Sequence, residues 1–517
     1  MLILTWLLAE RALLLHGLTF EREKGNFHMK KVLFIMPPIG GWATHGINRA
    51  ANQFYAQLAA YIREKNVGEP FVLDARALDL TYDDVKQKVK ELKPDVVVLG
   101  DILHSTGGLA VIWHFNKTAA LVKEASPRTS VAVGGLWYSA LYKETLEENK
   151  AIDFVLIGEG ELTLEGLLKA MEAGTGDFSK IPGLASRHNG VVVAGPHREL
   201  ITDIDILPLP AYDLFPMEKY VNHTYWTNFC ELFTSRGCPG GCSFCYEWSQ
   251  YDPRYPKDFV SWRSHSASRI VDELELLTKK FGVKTVVFQD DAFNVDPDMV
   301  KGVCNGILDK CIKINWVILG RADNWAKQKD MIPLMKKAGM FMGLVGIEVG
   351  NDAELSRIGK GVTVSQIKKT VDALRRNDIA TIGTFMIGFE DDTEQAIKQR
   401  FAFADQVDPD VFALQFVTPV PGSPLWMKLV KEGLLDPKKI DLIKWDFQHP
   451  VVPTKHLSVE AVGRLGSWCM REFFSRPRRI HRIISGKYSE LAKLCVKDFM
   501  SNISKFEAAA TKGDLYV

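Results

Sequence analysis

Short apolar runs alternate with helical patterns through the first third of this chain of 517 residues. The runs fall at residues 32–36, 71–73, 96–99, 131–133 and 154–157, and most are followed directly by glycine or a polar residue. Runs of this length, separated by amphipathic stretches, are typical of strands that are buried on both faces of a parallel sheet. The pattern therefore predicts an α/β domain over residues 29–173, built on a doubly wound, flavodoxin-like sheet.

A second alternating series occupies residues 230–424. Its apolar runs lie at residues 232–234, 285–288, 316–319, 344–347, 382–387 and 411–416. Six βα units predict a partial (β/α)6 barrel, with its chemistry at the carboxyl ends of the strands. The side chains that follow these runs, and so become candidate site residues, are Gln289, Asp290, Asp291, Arg321, Glu348, Gly388, Phe389 and Thr418.

The remaining segments are interpreted by their position and composition. Residues 1–28 are predicted to be an N-terminal extension, because Met29 and two lysines stand directly before the first strand. Residues 174–229 are predicted to be a connector that contains a hairpin around Asn189 and Gly190. Residues 425–517 are predicted to be mostly helical, and the basic run at 476–479 is interpreted as solvated surface, with an anionic substrate group as the alternative.

Between the two series lies a stretch with three cysteines in eight residues, Cys238, Cys242 and Cys245. Thiolates are soft ligands for iron–sulfur clusters or zinc, and the intervening glycines and proline let the backbone curl around such a group. Three ligands leave a cluster one thiolate short of the usual four. Buried structural thiols and a zinc site completed by Cys230 or His223 are the alternatives.

The spacing C-x3-C-x2-C, with the aromatic Phe244 before the last cysteine, resembles the signature of radical S-adenosylmethionine (SAM) enzymes. The resemblance extends upstream to a cobalamin-binding domain and is nearest to the anaerobic magnesium-protoporphyrin monomethyl ester cyclase and cobalamin-dependent methyltransferase subgroup. It implies that Cys238, Cys242 and Cys245 hold a [4Fe-4S] cluster whose fourth iron binds SAM.

The resemblance also implies contacts with SAM at the strand ends of the predicted barrel. Gln289, Asp290 and Asp291 would contact its amino group, Arg321 its carboxylate or the substrate, Glu348 its ribose, and Gly388, Phe389 and Thr418 its adenine. From residue chemistry alone, an acidic residue in such a position is equally well explained as a helix N-cap or an exposed loop residue.

The strand ends of the first domain carry small and polar residues, namely Ser105, Thr106, Gly134, Gly135, Gly158 and Glu159. Glycine lets a ligand approach the backbone, although the tight turns of any flavodoxin-like domain would show the same pattern. The resemblance implies that these loops line a slot for the nucleotide tail of cobalamin.

His45 is the candidate cobalt ligand of the first domain. Many cobalamin domains carry Asp-x-His-x-x-Gly in the first βα loop, but this loop reads WATHGIN at residues 42–48, without the aspartate or the glycine spacing. A lone loop histidine is also explained as a solvated residue. We therefore expect cobalamin to bind without requiring His45.

Composition sets limits on partners and compartment. The net charge of +1 gives no basic field for nucleic acid, so no nucleic-acid partner is predicted. The chain has too few cysteines for a disulfide scaffold, and their clustering predicts metal chemistry in a reducing cytoplasm. The apolar N-terminus lacks a run of about 20 apolar residues, which leaves membrane contact open.

The resemblance implies an enzyme that uses a [4Fe-4S] cluster, SAM and cobalamin. The predicted reaction is C-methylation of an unactivated carbon through a 5′-deoxyadenosyl radical and methylcobalamin, on a small-molecule, lipid or peptide substrate, with ferredoxin or flavodoxin as reductant. The alternatives are an oxidative cyclase of a tetrapyrrole-like substrate and a non-catalytic sensor. Since both domains would bind ligands at strand carboxyl ends, we expect those two faces to meet.

Overall fold

Two sheets follow one another along the chain in the computed structural model, which describes residues 29–39, 48–101, 108–222, 226–249, 251–255 and 262–501. The strands of the first sheet are β1 Lys31–Met36, β2 Glu69–Asp74, β3 Val96–Asp101, β4 Ser130–Gly135, β5 Phe154–Leu156, β6 Leu184–His188 and β7 Val191–Ala194. Their order across the sheet is β2-β1-β3-β4-β5-β6-β7. Pairing is parallel from β2 to β5, which is the flavodoxin-like order and confirms the predicted fold class.

The second sheet is formed by β8 Phe229–Leu232, β9 Thr285–Phe288, β10 Asn315–Gly320, β11 Met340–Glu348, β12 Ala380–Ile387 and β13 Val411–Phe416. Its strands lie side by side in chain order, and every neighbouring pair is parallel. Each βα unit therefore adds the next strand, and all strand carboxyl ends lie at one edge. This arrangement is the predicted partial barrel.

Helices connect the strands and form the C-terminal region. Their bounds are α1 Gln53–Glu64, α2 Tyr82–Leu92, α3 Val111–Ala125, α4 Leu136–Ala140, α5 Tyr142–Glu148, α6 Glu161–Glu172, α7 Ala267–Phe281, α8 Pro297–Asp309, α9 Ala322–Lys327, α10 Ile332–Lys337, α11 Asp352–Arg357, α12 Val364–Arg376, α13 Glu394–Val407, α14 Pro424–Lys431, α15 Val459–Phe474, α16 Pro477–Ser485 and α17 Glu490–Ser501. None of these described helices is long and apolar enough to cross a membrane.

Local sequence explains where many of these elements begin and end. Thr81 and Asp84 form a capping box at the start of α2, in which each side chain accepts a hydrogen bond from the other residue's backbone. Helix α7 ends at Gly282, whose φ of 67° is left-handed. Strand β1 is almost wholly buried, as expected for an apolar strand with helices on both faces.

The predicted connector contributes to the first sheet as well as joining the domains. The predicted hairpin around Asn189 and Gly190 is confirmed, because β6 and β7 pair antiparallel there. Strand β6 also pairs with β5, so the sheet continues past residue 173. Further along, Val221–Asn222 pairs with Asn48–Arg49 of the first domain.

A buried carboxylate joins the first domain, the connector and the barrel. Glu273 of α7 is 2 % exposed and accepts hydrogen bonds from Tyr212 Oη at 2.6 Å, Gln53 Nε2 at 3.1 Å and Arg269 Nη1 at 3.1 Å. Burial raises the pKa of Glu273, and Arg269 opposes that rise. Gln53 also accepts a hydrogen bond from the backbone N–H of Phe233, which ties the start of α1 to the chain just before the cysteines.

The basic run at 476–479 is not wholly solvated, because one of its arginines is buried. The Arg479 side chain is 1 % exposed and pairs with Asp405 at 2.9 Å and with Asp408. Its guanidinium lies 3.5 Å from the centre of the Phe473 ring. The neighbouring Arg478 side chain is 59 % exposed. Arg479 therefore stabilises the packing of α16 against the barrel.

Replacing Arg479 by Ala should lower the stability of the apo protein, because Asp405 and Asp408 would lose a desolvated cation. We expect a loss of about 3 kcal/mol, measured as a shift of the urea or thermal unfolding midpoint. Arg478→Ala is the matched control and should cost less than about 1 kcal/mol, since its pair is solvated. Equal shifts for the two variants would contradict this role of Arg479.

Candidate functional site between the two domains

The cysteine loop (residues 237–246) follows β8 and leads into a short helical turn, Tyr246–Ser249. Its three thiols lie close enough to influence one another electrostatically, and burial is the main cause that raises the pKa of each. All cysteines in the described part of the chain are free thiols. Ligation to a metal would remove their protons, because thiolates are the binding form.

Backbone contacts with the barrel fix the shape of the cysteine loop. Ser243 donates its N–H to the carbonyl of Ile358 at 2.8 Å, and its own carbonyl accepts from Leu425 N at 2.9 Å. Gly359, at a φ of +70°, packs so closely that an added Cβ would lie 2.4 Å from the carbonyl oxygen of Gly241. The loop after α11 therefore presses directly against the glycine pair of the cysteine loop.

Two backbone amides point at sulfur atoms within the loop. Gly240 N–H donates to Cys238 Sγ at 3.4 Å, and Glu247 N–H donates to Cys245 Sγ at 3.5 Å. Hydrogen bonds to ligand sulfurs stabilise thiolates and tune iron–sulfur centres. The local backbone thus fits a thiolate-bound cluster.

The zinc alternative gains no support. Cys230 lies on β8, is fully buried, and its Sγ hydrogen-bonds to the carbonyl of Glu231 at 3.4 Å. His223 lies outside the described residues. Among the residues that are described, no group of three His, Cys, Asp or Glu side chains could hold a single metal ion.

Two cations, one directly after β10 and one in the loop after α11, stand beside the thiols. Arg321, directly after β10, lowers the pKa of Cys238, and Lys360 lowers the pKa of Cys242, in each case against the larger effect of burial. Arg321 Nη2 donates to the carbonyl of Lys360 at 2.9 Å. A Cβ on Gly240 would lie 2.3 Å from Arg321 Nη1, so glycine at position 240 makes room for the guanidinium.

Glu348 ends β11 in a conformation that is unusual for its residue type. Its φ is +65°, a left-handed value that costs of order 1–3 kcal/mol for a residue with a Cβ. Its carboxylate accepts from Lys360 Nζ at 2.7 Å and Thr384 Oγ1 at 3.2 Å. Strain of this kind recurs at ligand sites, and here it fixes a buried ion pair next to Cys242.

The three residues after β9 have different surroundings. Asp290 is fully buried and accepts hydrogen bonds from the backbone N–H of Thr234 at 2.8 Å and from Ser235 Oγ at 2.6 Å. Asp291 accepts from Tyr246 Oη and lines the cavity between the domains. Gln289 Nε2 donates to Glu231 at 3.2 Å. Asp290 thus supports the strand that enters the cysteine loop.

The predicted adenine contacts lie on a hydrogen-bonded loop after β12 and near the end of β13. Asp392 accepts the backbone N–H groups of Gly388 at 2.9 Å and Phe389 at 3.2 Å, and pairs with Arg400. The Phe389 ring meets that of Phe244 at 5.8 Å, next to Cys245. Thr418 is buried, and its hydroxyl donates to the carbonyl of Phe416 at 3.2 Å.

A cavity lies between the two domains. Its first wall is formed by the strand ends that the sequence singles out, Gly134, Gly135, Gly158 and Glu159. Its second wall belongs to the barrel and includes Ser235, Arg236, Tyr251, Arg263 and Asp291. The carboxyl ends of both sheets therefore share one space.

The loop after β4 reaches the cysteine side of this interface. Helix α4, which begins directly after Gly135, packs against the turn Tyr246–Ser249 that follows Cys245. Trp137 of α4 also meets Trp426 of α14 at 6.3 Å. The expected meeting of the two ligand faces is thus observed.

Charged residues at the edge of the cavity form the interdomain ion cluster (Glu159, Glu161, Arg236 and Arg263). Arg236 pairs with Glu159 at 3.2 Å and with Glu161 at 2.5 Å, and Arg263 pairs with Glu159 at 2.8 Å. Burial alone would raise the pKa of Glu159, but the two arginines bring it below its usual value. Glu159, predicted to contact cobalamin, therefore joins the domains.

Some predicted residues lie outside the described part of the chain, and some site residues escaped prediction. His45, Ser105 and Thr106 belong to the first group. Lys360 and Arg236 are site residues that were not predicted, although the residues around them carried a signal. Lys360 stands between two glycines and follows no apolar run, whereas Arg236 comes two residues after the run at 232–234 and just before Gly237 and Cys238.

The pH dependence of stability tests the role of Asp290, whose buried carboxylate accepts hydrogen bonds from the residues before the cysteine loop. Burial raises the pKa of Asp290 to about 7, while hydrogen bonds from Ser235 and Thr234 oppose the rise. Since an unfolded aspartate titrates near ~3.9, the folded state holds the proton more tightly. The contribution of this proton to the free energy of unfolding is complete below about pH 4. It is lost as the pH rises through the pKa of Asp290 in the folded state.

Asp290→Asn keeps an acceptor oxygen but cannot ionise. The unfolding temperature of the wild type should therefore fall relative to this variant as the pH rises from about 4 to about 7. Thermal unfolding of both apo proteins across that range measures the difference. A difference that stayed constant with pH would rule out a proton on Asp290.

Comparison with known proteins agrees with this geometry. A family model described as the B12 binding domain matches residues 52–168, and the Radical SAM superfamily model matches residues 232–404. An uncharacterized methyltransferase of Pyrococcus horikoshii is 28% identical over 471 residues, which cover 91% of this chain and 98% of that protein. The anaerobic magnesium-protoporphyrin IX monomethyl ester cyclase of Rubrivivax gelatinosus is 27% identical, over 82% of this chain and 73% of its own.

The fold is also found among solved structures. The radical SAM methyltransferase TsrM of Kitasatospora setae, with cobalamin and a [4Fe-4S] cluster bound, superposes with a TM-score of 0.67 at 16% identity, over 93% of this chain and 100% of that one. TsrM thus binds two of the cofactors that the resemblance implies for this chain. The chain therefore has a segment that matches the B12 binding domain, followed by a segment that matches the Radical SAM superfamily.

Proposed function

We propose that this chain is a cobalamin-dependent radical SAM methyltransferase that methylates an unactivated carbon. The observation that carries the proposal is the shared cavity, where the glycine-rich strand ends of the B12-binding domain face the barrel beside the cysteine loop. Methyl transfer needs donor and acceptor carbon in close alignment, and a joint cavity provides the space for it. The methyltransferase of Pyrococcus horikoshii, similar along nearly its whole length, supports the same reading.

Cys238, Cys242 and Cys245 are the proposed ligands of one [4Fe-4S] cluster. The N–H donors of Gly240 and Glu247 would stabilise two of the thiolates. Arg321 and Lys360 would offset negative charge at this buried place, where unbalanced charge is costly. The tight packing of Gly359 on Gly241 holds the loop in shape before the cluster is inserted.

Residues next to the cluster are the proposed SAM contacts. Arg321 suits the carboxylate, because a guanidinium binds carboxylates in a fork geometry. Glu348 suits the ribose hydroxyls, with Lys360 and Thr384 holding its carboxylate in place. For the amino group we favour Asp291, which lies at the cavity, over Asp290, which already accepts bonds from Thr234 and Ser235.

The remaining proposed contacts follow the sequence predictions. Gly388, Phe389 and Thr418 would border the adenine, and Gln289 would orient Glu231 at the end of β8. Gly134, Gly135 and Gly158 would border cobalamin, with Ser105, Thr106 and His45 as further candidates. Glu159 would act through the interdomain ion cluster, by holding the two faces together.

When bound, the cluster, SAM and cobalamin supply the electron, the 5′-deoxyadenosyl radical and the methyl group for such a reaction. The protein's own part is to bind, orient and exclude water. The aromatic and apolar residues Phe54, Leu136 and Phe233 line much of the cavity, which favours exclusion of water. A small-molecule, lipid or peptide substrate and a ferredoxin- or flavodoxin-like reductant complete the proposal.

The cluster assignment predicts the iron content of variants. Replacing Cys238, Cys242 and Cys245 together by Ala should abolish the iron and visible absorbance of the reconstituted protein, because no other thiolates replace them. Cys304→Ala is the control: its thiol is buried on α8, and the variant should keep about four irons per chain. Full iron content in the triple variant would refute the ligand set.

Product analysis tests the reaction. The reduced, reconstituted enzyme with cobalamin, SAM and candidate lipids, peptides or tetrapyrroles should form S-adenosylhomocysteine, 5′-deoxyadenosine and a methylated product. Oxidative cyclisation is the alternative supported by the similarity to the Rubrivivax gelatinosus cyclase. It would give 5′-deoxyadenosine without S-adenosylhomocysteine. Intact SAM under reducing conditions, with the cluster present, would favour the sensor and contradict both enzymatic proposals.

A further inference from the structure

Asp291 stands between the cysteine loop and the shared cavity. Its side chain is half-buried and lines the cavity. Burial and, after it, the charge of Asp291 raise the pKa of Cys238, so the carboxylate lies within electrostatic reach of a proposed cluster ligand. Carboxylates and thiolates repel one another. A carboxylate in this place therefore needs a hydrogen-bond donor that holds it.

The hydroxyl of Tyr246 is such a donor. Tyr246 comes directly after Cys245, and its Oη donates a hydrogen bond to the Asp291 carboxylate. The bond joins the turn that follows the cysteines to the turn that follows β9. Asp290 accepts from Thr234 and Ser235 instead, so the two adjacent carboxylates are held by different donors.

Glu247 and Tyr251 complete the surroundings of this carboxylate. Glu247 is fully buried, its side chain is hydrogen-bonded to Asp291, and it accepts a hydrogen bond from Tyr251 Oη at 3.3 Å. Helix α4 of the first domain packs against the same turn. A side chain that its neighbours already hold loses little freedom when a ligand binds. The Asp291 carboxylate is therefore oriented before a ligand enters the cavity.

We propose that Tyr246 is a positioning residue, which aims the Asp291 carboxylate at the ammonium group of SAM. The inference rests on the proposed SAM site, in which Asp291 is the favoured contact of the amino group. A carboxylate has about four acceptor positions, so one that bonds to Tyr246 and Glu247 still has positions for an ammonium group. Tyr246 thereby links SAM recognition to the shape of the cysteine loop.

Equilibrium dialysis of the cluster-reconstituted full chain with SAM tests the inference. Tyr246→Phe removes only the hydroxyl and should raise the dissociation constant about fivefold, as for one lost hydrogen bond. Asp291→Ala should raise it further, because it removes the charge that pairs with the ammonium group. The double variant should lose no more affinity than Asp291→Ala alone, since Tyr246 acts through Asp291.

Tyr488→Phe is the matched control. Its hydroxyl also donates to a buried carboxylate, that of Asp410 at 3.0 Å, but in the C-terminal region. This variant should bind SAM with wild-type affinity.

The iron content of each variant separates this role from a structural one. Every variant should hold about four irons per chain. Loss of iron from Tyr246→Phe would overturn the inference by assigning the hydroxyl to the cysteine loop. Wild-type affinity in that variant, or additive losses in the double variant, would also overturn it, and the proposed function would stand in all three cases. A wild type with a full cluster that binds no SAM would overturn both.

Discussion

The pairing of Arg236 with Glu159 and Glu161 is the interaction on which the site depends. Arg236 stands two residues before Cys238, and its carboxylate partners follow β5 in the other domain. Burial alone would lower the pKa of Arg236, but the two carboxylates hold it above its ordinary value. Removing one partner of such a buried pair costs roughly 3–5 kcal/mol, whereas the intact pair mainly fixes orientation. The interdomain ion cluster thereby sets how the B12-binding face meets the barrel.

Cations and backbone N–H groups around the cysteine loop offset part of the cost of burying thiolates. Burial raises the pKa of all three thiols, so burial by itself favours neutral sulfur. Arg321, Lys360 and the N–H groups aimed at sulfur work in the opposite direction. The same cations hold the strained Glu348 turn and the loop after α11 in place. Cluster binding and SAM binding would therefore share one electrostatic network.

Most strand positions and the cysteine loop could be predicted because both follow from local pattern, although β8 is Phe229–Leu232 and not the predicted run at 232–234. The runs at 285–288 and 411–416 coincide with the observed strands, since buried parallel strands are continuous apolar segments. The role of Asp290 could not be predicted, because a carboxylate after a strand looks alike whether it meets a ligand or caps Thr234 and Ser235. Lys360 was missed because it comes near Cys242 through a chain separation of more than a hundred residues.

The sequence by itself determined the two α/β units, the order of their strands along the chain and the thiol set, because periodicity and spacing are properties of neighbouring residues. Only the tertiary structure decided that the strand ends of both sheets enclose one cavity. It alone decided that Glu159 serves an interdomain ion cluster and that the hydroxyl of Tyr246 holds the carboxylate of Asp291. Such facts depend on contacts between distant segments, and no local pattern encodes which distant partner a side chain will meet.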